Sequence, residues 1–106
     1  MPMIFVYITT ATPDEARAIG RTLIDERLAA CVNIIGAMTS IYRWEGAITE
    51  DQETIMIVKT RAELFNDLAS RVREIHSYRV PCIVEIPLGR IEGGYLGWLT
   101  AETART

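Results

Sequence analysis

The sequence contains few of the residues that characterise several common protein classes. Its 106 residues include two cysteines, too few for a disulfide scaffold. No apolar run approaches the roughly 18 residues of a membrane span, and no basic residue precedes the apolar N-terminal stretch, so no signal peptide is predicted. A net charge of -3 argues against nucleic acid as a partner. We therefore expect one reduced, cytoplasmic domain over residues 1–106, with neither nucleic-acid nor membrane partners.

Apolar side chains are abundant. The chain is 49% hydrophobic and 24% charged, which is typical of folded proteins and excludes disorder. A domain of this size has a limited interior in which to bury so many apolar side chains. Their distribution therefore bears on assembly as well as on fold.

The first half of the chain predicts a strand, a helix and a long second strand. Met3–Ile8 is an unbroken apolar run typical of a buried strand. Thr12–Glu15 has the pattern of a capping box, which begins a helix expected to end near Ala29–Ala30. Strand-like alternation then runs over Cys31–Trp44, with Gly36 as a candidate bulge.

The second half repeats this order. Glu45–Gly46 predicts a tight turn into a strand that ends at Thr60. Thr60–Glu63 predicts a second capping box before a helix whose apolar stripe closes at His76. The last strand, residues 82–86, is expected at an edge because Pro87 cannot donate to a central ladder, and a short helix opens at residues 93–94. The order predicts an α+β, ferredoxin-like split βαβ fold (βαββαβ) with a long central hairpin.

The strands predict an oligomer. In this architecture the helices cover one sheet face, yet Ile4, Val6 and Ile8 alternate with Phe5 and Tyr7, so both faces are apolar. The second strand would span roughly 45 Å, which exceeds a compact domain with a radius of gyration of about 13 Å. Both observations favour a closed homo-oligomer. The alternative is a long hairpin bent over its own sheet.

Several motifs together resemble the CutA family of divalent-cation tolerance proteins. They follow one another in order over nearly the whole chain: Thr12-Pro13-Asp14-Glu15-Ala16, Leu28-Ala29-Ala30-Cys31-Val32-Asn33, Ser40-Ile41-Tyr42-Arg43-Trp44-Glu45-Gly46, Glu53, Met56-Ile57-Val58-Lys59-Thr60, His76-Ser77-Tyr78-Arg79-Val80-Pro81 and Tyr95-Leu96-Gly97-Trp98-Leu99. The resemblance implies a ferredoxin-like subunit in a compact homotrimer. It also implies an association with copper or another divalent cation, named for a tolerance phenotype and not for a reaction.

The candidate metal ligands are His76, Cys31 and Cys82. The resemblance carries a proposed copper ligand to His76, the only histidine, whereas Thr10 and Ile75 occupy two further proposed ligand positions. The alternative for His76 is a hydrogen-bonded residue at a helix C-terminus. With the usual strand order 4-1-3-2 the cysteines lie on opposite sheet edges, so we expect buried thiols without a disulfide; binding of Cu(I) is the alternative.

A ligand cleft between subunits is the second candidate site. Lys59, the only lysine, is expected either to pair with a carboxylate, Glu53 or Glu85, or to contact an anion in the cleft with help from Arg43. The aromatic residues of the hairpin and the C-terminal region suit an interface or the wall of such a pocket. They are Tyr42, Trp44, Tyr78, Tyr95 and Trp98.

The leading hypothesis is therefore a homotrimeric divalent-cation tolerance protein that binds copper or another divalent ion weakly. The alternatives are a small-molecule or anion sensor similar in architecture to the P-II signalling trimers, and a trimeric scaffold for a partner protein. An enzyme is disfavoured because no nucleophile and base form a recognisable set. No glycine-rich phosphate loop is present, and no organic cofactor is expected.

Overall fold

The computed structural model describes residues 2–104 and has the predicted order of elements. These are β1 (Met3–Thr10), α1 (Pro13–Asp25), β2 (Cys31–Trp44), β3 (Ala47–Arg61), a 3₁₀ turn (Ala62–Leu64), α2 (Phe65–Ile75), β4 (Ile83–Pro87) and α3 (Gly93–Glu102). The four strands form one antiparallel sheet in the order β2-β3-β1-β4. This confirms the α+β, ferredoxin-like split βαβ fold.

The core lies between α1, α2 and one face of the sheet. Alternate residues of β1 and β3, such as Val6 and Val58, pair across the strands and are completely buried. Ile19 and Leu23 of α1 and Leu68 of α2 pack on them. The apolar side chains that recur every 3.6 residues in the helices thus pack against those that recur every second residue in the strands.

The opposite face of the sheet, called here the open face, is also apolar but only partly covered. It carries Phe5, Tyr7, Ile55, Ile57 and Lys59, all half-buried in a single copy. Helix α3 contacts β3 and covers one end of this face. The two apolar faces expected from the sequence are therefore present, and most of the second has no helix upon it.

The β2–β3 hairpin extends past the rest of the sheet. Strand β1 pairs with β3 only over residues 54–61, so residues 38–53 pair only with each other; we call them the hairpin arm. A break in the β2–β3 register between Ile35 and Met38 confirms the bulge predicted at Gly36. Ile41 and Ile48 on the arm are 66% and 74% exposed. In a single copy the arm thus presents large apolar side chains to solvent.

The tip of the arm is the predicted two-residue turn. Glu45 and Gly46 have φ of 48° and 82°, the pair of positive values that a type I′ turn requires. This turn matches the right-handed twist of the flanking strands, so β3 returns in register with β2. The short turn is what allows so long a hairpin to remain regular.

Helix α1 begins as predicted and ends earlier. The Thr12 hydroxyl accepts from the Glu15 N–H at 3.1 Å, and the Glu15 carboxylate accepts from the Ala11 N–H at 3.2 Å. The expected end near Ala29–Ala30 is wrong, because Arg27 takes a left-handed φ of 56° just after the helix. Leu28 is nevertheless buried, which is why the apolar spacing outlasts the helix.

The second predicted capping box is also wrong. Thr60 is still part of β3, and its buried hydroxyl donates to the Leu28 carbonyl at 2.7 Å. A 3₁₀ turn follows, and α2 starts at Phe65 without a side-chain cap. A hydroxyl that satisfies a tertiary contact is not available to cap the helix beside it.

None of the helices in residues 2–104 has the length and hydropathy that a membrane crossing requires.

Candidate functional site

His76 lies directly after α2, where it joins that helix to β1. Its backbone N–H donates to the Val72 carbonyl at 2.8 Å, and its side chain is fully buried. Nε2 lies 2.8 Å from the Thr9 carbonyl oxygen, and the Tyr78 N–H donates to Nδ1 at 3.0 Å. Because a carbonyl can only accept, this network assigns the hydrogen to Nε2 and leaves the Nδ1 lone pair to Tyr78. Both ring nitrogens are thus engaged within the chain.

Glu15 connects the start of α1 to the same turn. One carboxylate oxygen accepts from the Ser77 N–H at 2.7 Å and lies 3.8 Å from Nδ1 of His76. Burial raises the pKa of this carboxyl, but the hydrogen bonds that it accepts from Ser77 and Ala11 lower the pKa by more, so the net shift is downward. Glu15 is therefore held in its charged form, and its carboxylate accepts from both the Ala11 N–H and the Ser77 N–H.

Tyr78 extends the network to the base of the hairpin arm. Its ring lies 4.8 Å from that of His76, and its hydroxyl donates to the Glu53 carboxylate at 2.8 Å. Burial, followed by the hydrogen bond to Glu53, raises the pKa of the Tyr78 phenol. Tyr78 is therefore held as a neutral hydroxyl that donates to Glu53.

A cleft of about 410 Å³ opens beside Tyr78. It is lined by Thr9, Tyr42, Trp44, Glu53, Tyr78, Arg79, Val80 and Cys82. Four of the residues predicted for a ligand cleft are thus together: Tyr42, Trp44, Glu53 and Tyr78. Cys82, predicted as a metal ligand, joins them, while the contributions of Thr9, Arg79 and Val80 were missed. The position of Thr9 could have been predicted from strand alternation, because its side chain points to the same sheet face as those of Tyr7 and Phe5.

The other predicted cleft residues lie elsewhere. Lys59 Nζ is 3.2 Å from the Tyr95 hydroxyl and 5.6 Å from the centre of the Phe5 ring, and Tyr95 packs against Trp98 with ring centres 5.7 Å apart. These residues form a cluster under α3. Arg43 donates to the Gly46 carbonyl at 3.4 Å at the arm tip. None of these side chains lines the cleft.

The carboxylate expected beside Lys59 is not found among residues 2–104. Glu53 accepts from Tyr78, and Glu85 pairs in register with Val6, whose side chain points to the helix-covered face. Lys59 is stabilised by aromatic ring faces and a phenol oxygen in place of an ion pair.

Both cysteines are free and lie at opposite edges of the sheet, as expected, but they are only half-buried, so the prediction of buried thiols is wrong. Burial, with a contribution from the charge of Glu53, raises the pKa of the Cys82 thiol. Within residues 2–104 no three histidine, cysteine or acidic side chains gather as a metal-ligand group. One copy therefore offers isolated donors and no closed metal site.

The fold and the cleft define a small ferredoxin-like protein whose polar and aromatic site lies between a hairpin arm and the turn after α2. The family model of the CutA1 divalent ion tolerance protein matches residues 4–102. The chain belongs to this family.

Relatives support that assignment over most of the chain. The divalent-cation tolerance protein CutA of Thermus thermophilus is 47% identical over 98 residues, which is 92% of this chain and 95% of that protein. Protein CutA, chloroplastic, of Arabidopsis thaliana is 36% identical over 97% of this chain, which spans only 57% of the plant protein. The name of the Thermus protein describes cation tolerance, and neither name describes a reaction.

Solved structures agree with the fold. The crystal structure of CutA1 from Oryza sativa has a TM-score of 0.96 at 36% identity and covers 100% of this chain and 97% of that one. The periplasmic divalent cation tolerance protein CutA from Archaeoglobus fulgidus has a TM-score of 0.94 at 40% identity, with 96% and 99% coverage. Since relatives are named chloroplastic and periplasmic, the cytoplasmic location stays a prediction.

Proposed function

We propose that this chain acts in divalent-cation tolerance as a homotrimer that binds copper or another divalent ion weakly. The observation that carries the proposal is membership of the CutA1 family over residues 4–102. The assembly is supported by the open face and by the exposed apolar side chains of the hairpin arm, Ile41 and Ile48. Packing three copies with these surfaces inward would bury apolar area that a single copy exposes.

Weak metal binding is supported by the chemistry of the three predicted ligands. A thiolate is the soft ligand that Cu(I) prefers, but the raised pKa of Cys82 means that a proton must leave before the metal binds. His76 can offer a nitrogen only if the Thr9 carbonyl or the Tyr78 N–H gives up its hydrogen bond. Cys31 is at the far edge of the sheet, where only a neighbouring copy could complete a site.

Calorimetric titration of the untagged protein with Cu(I), held in a weak competing ligand, tests the metal role. We expect Cys82→Ser to remove most of the binding heat and the matched variant Cys31→Ser to retain it, because only Cys82 lies in the cleft beside Glu53. Affinity should rise with pH as the thiol deprotonates. A titration of Cys82→Ser identical to that of the wild type would exclude Cys82, and a monomeric mass in solution would contradict the homotrimer.

A second candidate function is a sensor of small molecules, with ligand held in the cleft. It is favoured by the gathering of Tyr42, Trp44, Glu53 and Tyr78 around about 410 Å³ of space. Binding there should raise the melting temperature, because ligand that binds only the folded state stabilises it. A broad ligand screen in which no compound shifts the melting temperature would contradict this function.

A further inference from the structure

Three aromatic rings and one carboxylate dominate the wall of the cleft. Tyr42 and Trp44 enter from the hairpin arm, Tyr78 enters from the turn after α2, and Glu53 lies at the base of the arm. Trp44 is 44% exposed in a single copy, so its ring lies outside the core of that copy. An exposed tryptophan with two tyrosines around one space is the kind of wall that binds cations through ring faces.

Both tyrosine hydroxyls donate to carboxylates. Tyr78 donates to Glu53 at 2.8 Å, and Tyr42 donates to Asp51 at 2.5 Å. A phenol that donates to a carboxylate gains electron density on its oxygen and ring, which strengthens the attraction of the ring face for positive charge. The two carboxylates also bring negative charge close to the rings without adding a donor to the cleft.

The Glu53 carboxylate places a negative charge beside three titratable side chains at the cleft. The pKa of Tyr42 is raised mainly by its hydrogen bond to Asp51, and those of Tyr78 and Cys82 mainly by burial. In all three the negative charge of Glu53 raises the pKa further. This contribution from Glu53, unlike burial, depends on the sign of the charge, so it disfavours an anionic ligand and favours a cationic one.

The basic residues expected to attract an anion are absent from the cleft. Lys59 lies under α3 and Arg43 bonds the arm tip, so neither lines this space. Among residues 2–104, Arg79 is the one basic residue that lines it, and it is exposed. Its long side chain can turn to solvent, whereas Glu53 is fixed by Tyr78.

We infer that the cleft binds a small alkylammonium cation, with the charged group against Tyr42, Trp44 and Tyr78 and balanced by Glu53. This inference rests on the second proposed function, the cleft as a ligand site, and names the chemical class of that ligand. It does not depend on the metal role. Such a ligand carries a diffuse positive charge on an apolar group, and aromatic ring faces bind this kind of group best.

Tetramethylammonium chloride is the probe, and tert-butanol is its neutral counterpart of similar shape. Both are titrated into the Trp98→Phe protein, in which Trp44 is the only tryptophan and reports by fluorescence. Sodium chloride keeps the ionic strength constant, because exposed charges are screened by salt. We expect tetramethylammonium to bind saturably and at least about tenfold more tightly than tert-butanol, as one good cation–ring contact provides.

Two variants, each to neutral glutamine, test the sign of the charge. Glu53→Gln keeps an acceptor for Tyr78 and should weaken tetramethylammonium about tenfold, while Arg79→Gln removes a positive charge and should tighten it about twofold to fivefold. Circular dichroism confirms that each variant is folded. If Glu53→Gln fails to fold, Arg79→Gln and the comparison of the two probes still test whether the ligand is a cation.

The results separate this inference from the function on which it rests. Equal binding of both probes, or weaker binding after Arg79→Gln, would overturn the cationic ligand and leave the cleft as a ligand site. No binding of either probe overturns the inference as well. The sensor function then falls only if the broad melting-temperature screen also finds no ligand.

Discussion

Replacing His76 by alanine should destabilise the fold by about 3 kcal/mol. The side chain is fully buried and ties the turn after α2 to β1 through Thr9 and Tyr78. Its removal leaves the Thr9 carbonyl and the Tyr78 N–H without their partner, at about 1–3 kcal/mol for each buried unpaired group, and leaves a cavity. At the lower value for each group, the two unpaired groups alone cost about 2 kcal/mol, and the cavity adds to this cost.

Two further variants apportion this loss between the ring nitrogens. His76→Asn places an acceptor near the Nδ1 position, and His76→Gln places a donor near the Nε2 position, so each should retain one hydrogen bond. We expect each to cost roughly half as much as His76→Ala. Arg73→Ala, an exposed change in the last turn of the same helix, is the control and should stay within about 0.5 kcal/mol of wild type.

Urea unfolding followed by circular dichroism gives these free energies, at one protein concentration and with a chelator present. The concentration is fixed because the stability of an oligomer depends on it. A residue whose sole role was to ligate metal would leave unfolding in metal-free buffer unchanged. His76→Ala within about 1 kcal/mol of wild type would therefore refute the structural role.

Three further predictions concern other parts of the chain. The lowered pKa of Glu15 gives stability that is present above the pKa of the unfolded chain and is lost as pH falls through the folded pKa, so Glu15→Gln should flatten the acid side of the stability profile measured by urea unfolding. Gly46→Ala should cost about 1 kcal/mol because φ is 82° there, whereas Gly89→Ala, in open space, should be near neutral; thermal melts compare them. Ile41→Asp with Ile48→Asp should lower the mass measured by light scattering, and an unchanged mass would show that the arm tip takes no part in assembly.

The sequence predicts the fold well because its signals are local. Alternation over Cys31–Trp44 and the glycine at Gly46 determine the hairpin, and both the strand bounds and the turn match the structure. The predictions are wrong where a tertiary contact determines where a helix begins or ends. Thr60 satisfies the Leu28 carbonyl and so does not cap α2, and Arg27 ends α1 while the apolar spacing continues.

The cleft is harder to predict than the fold. Lys59 and Glu53 share a strand and a face, but six residues of β3 separate them by roughly 20 Å, so they cannot form one site within a copy. Strand spacing alone gives this distance. The docking of α3, which supplies Tyr95 to Lys59, depends on tertiary packing and has no comparable signal in the sequence.

Strand β4 is attached to the sheet at one side only. Its five residue pairs, from Ile4–Pro87 to Ile8–Ile83, join segments more than 70 positions apart, and Val84 and Ile86 are exposed on it. Such a strand is expected to detach by local opening, so its amide hydrogens should exchange with solvent before those of β1 and β3. Residues 78–82 of the cleft lead directly into β4. A ligand that holds this turn against the hairpin arm would slow exchange along β4, at amides that it never touches.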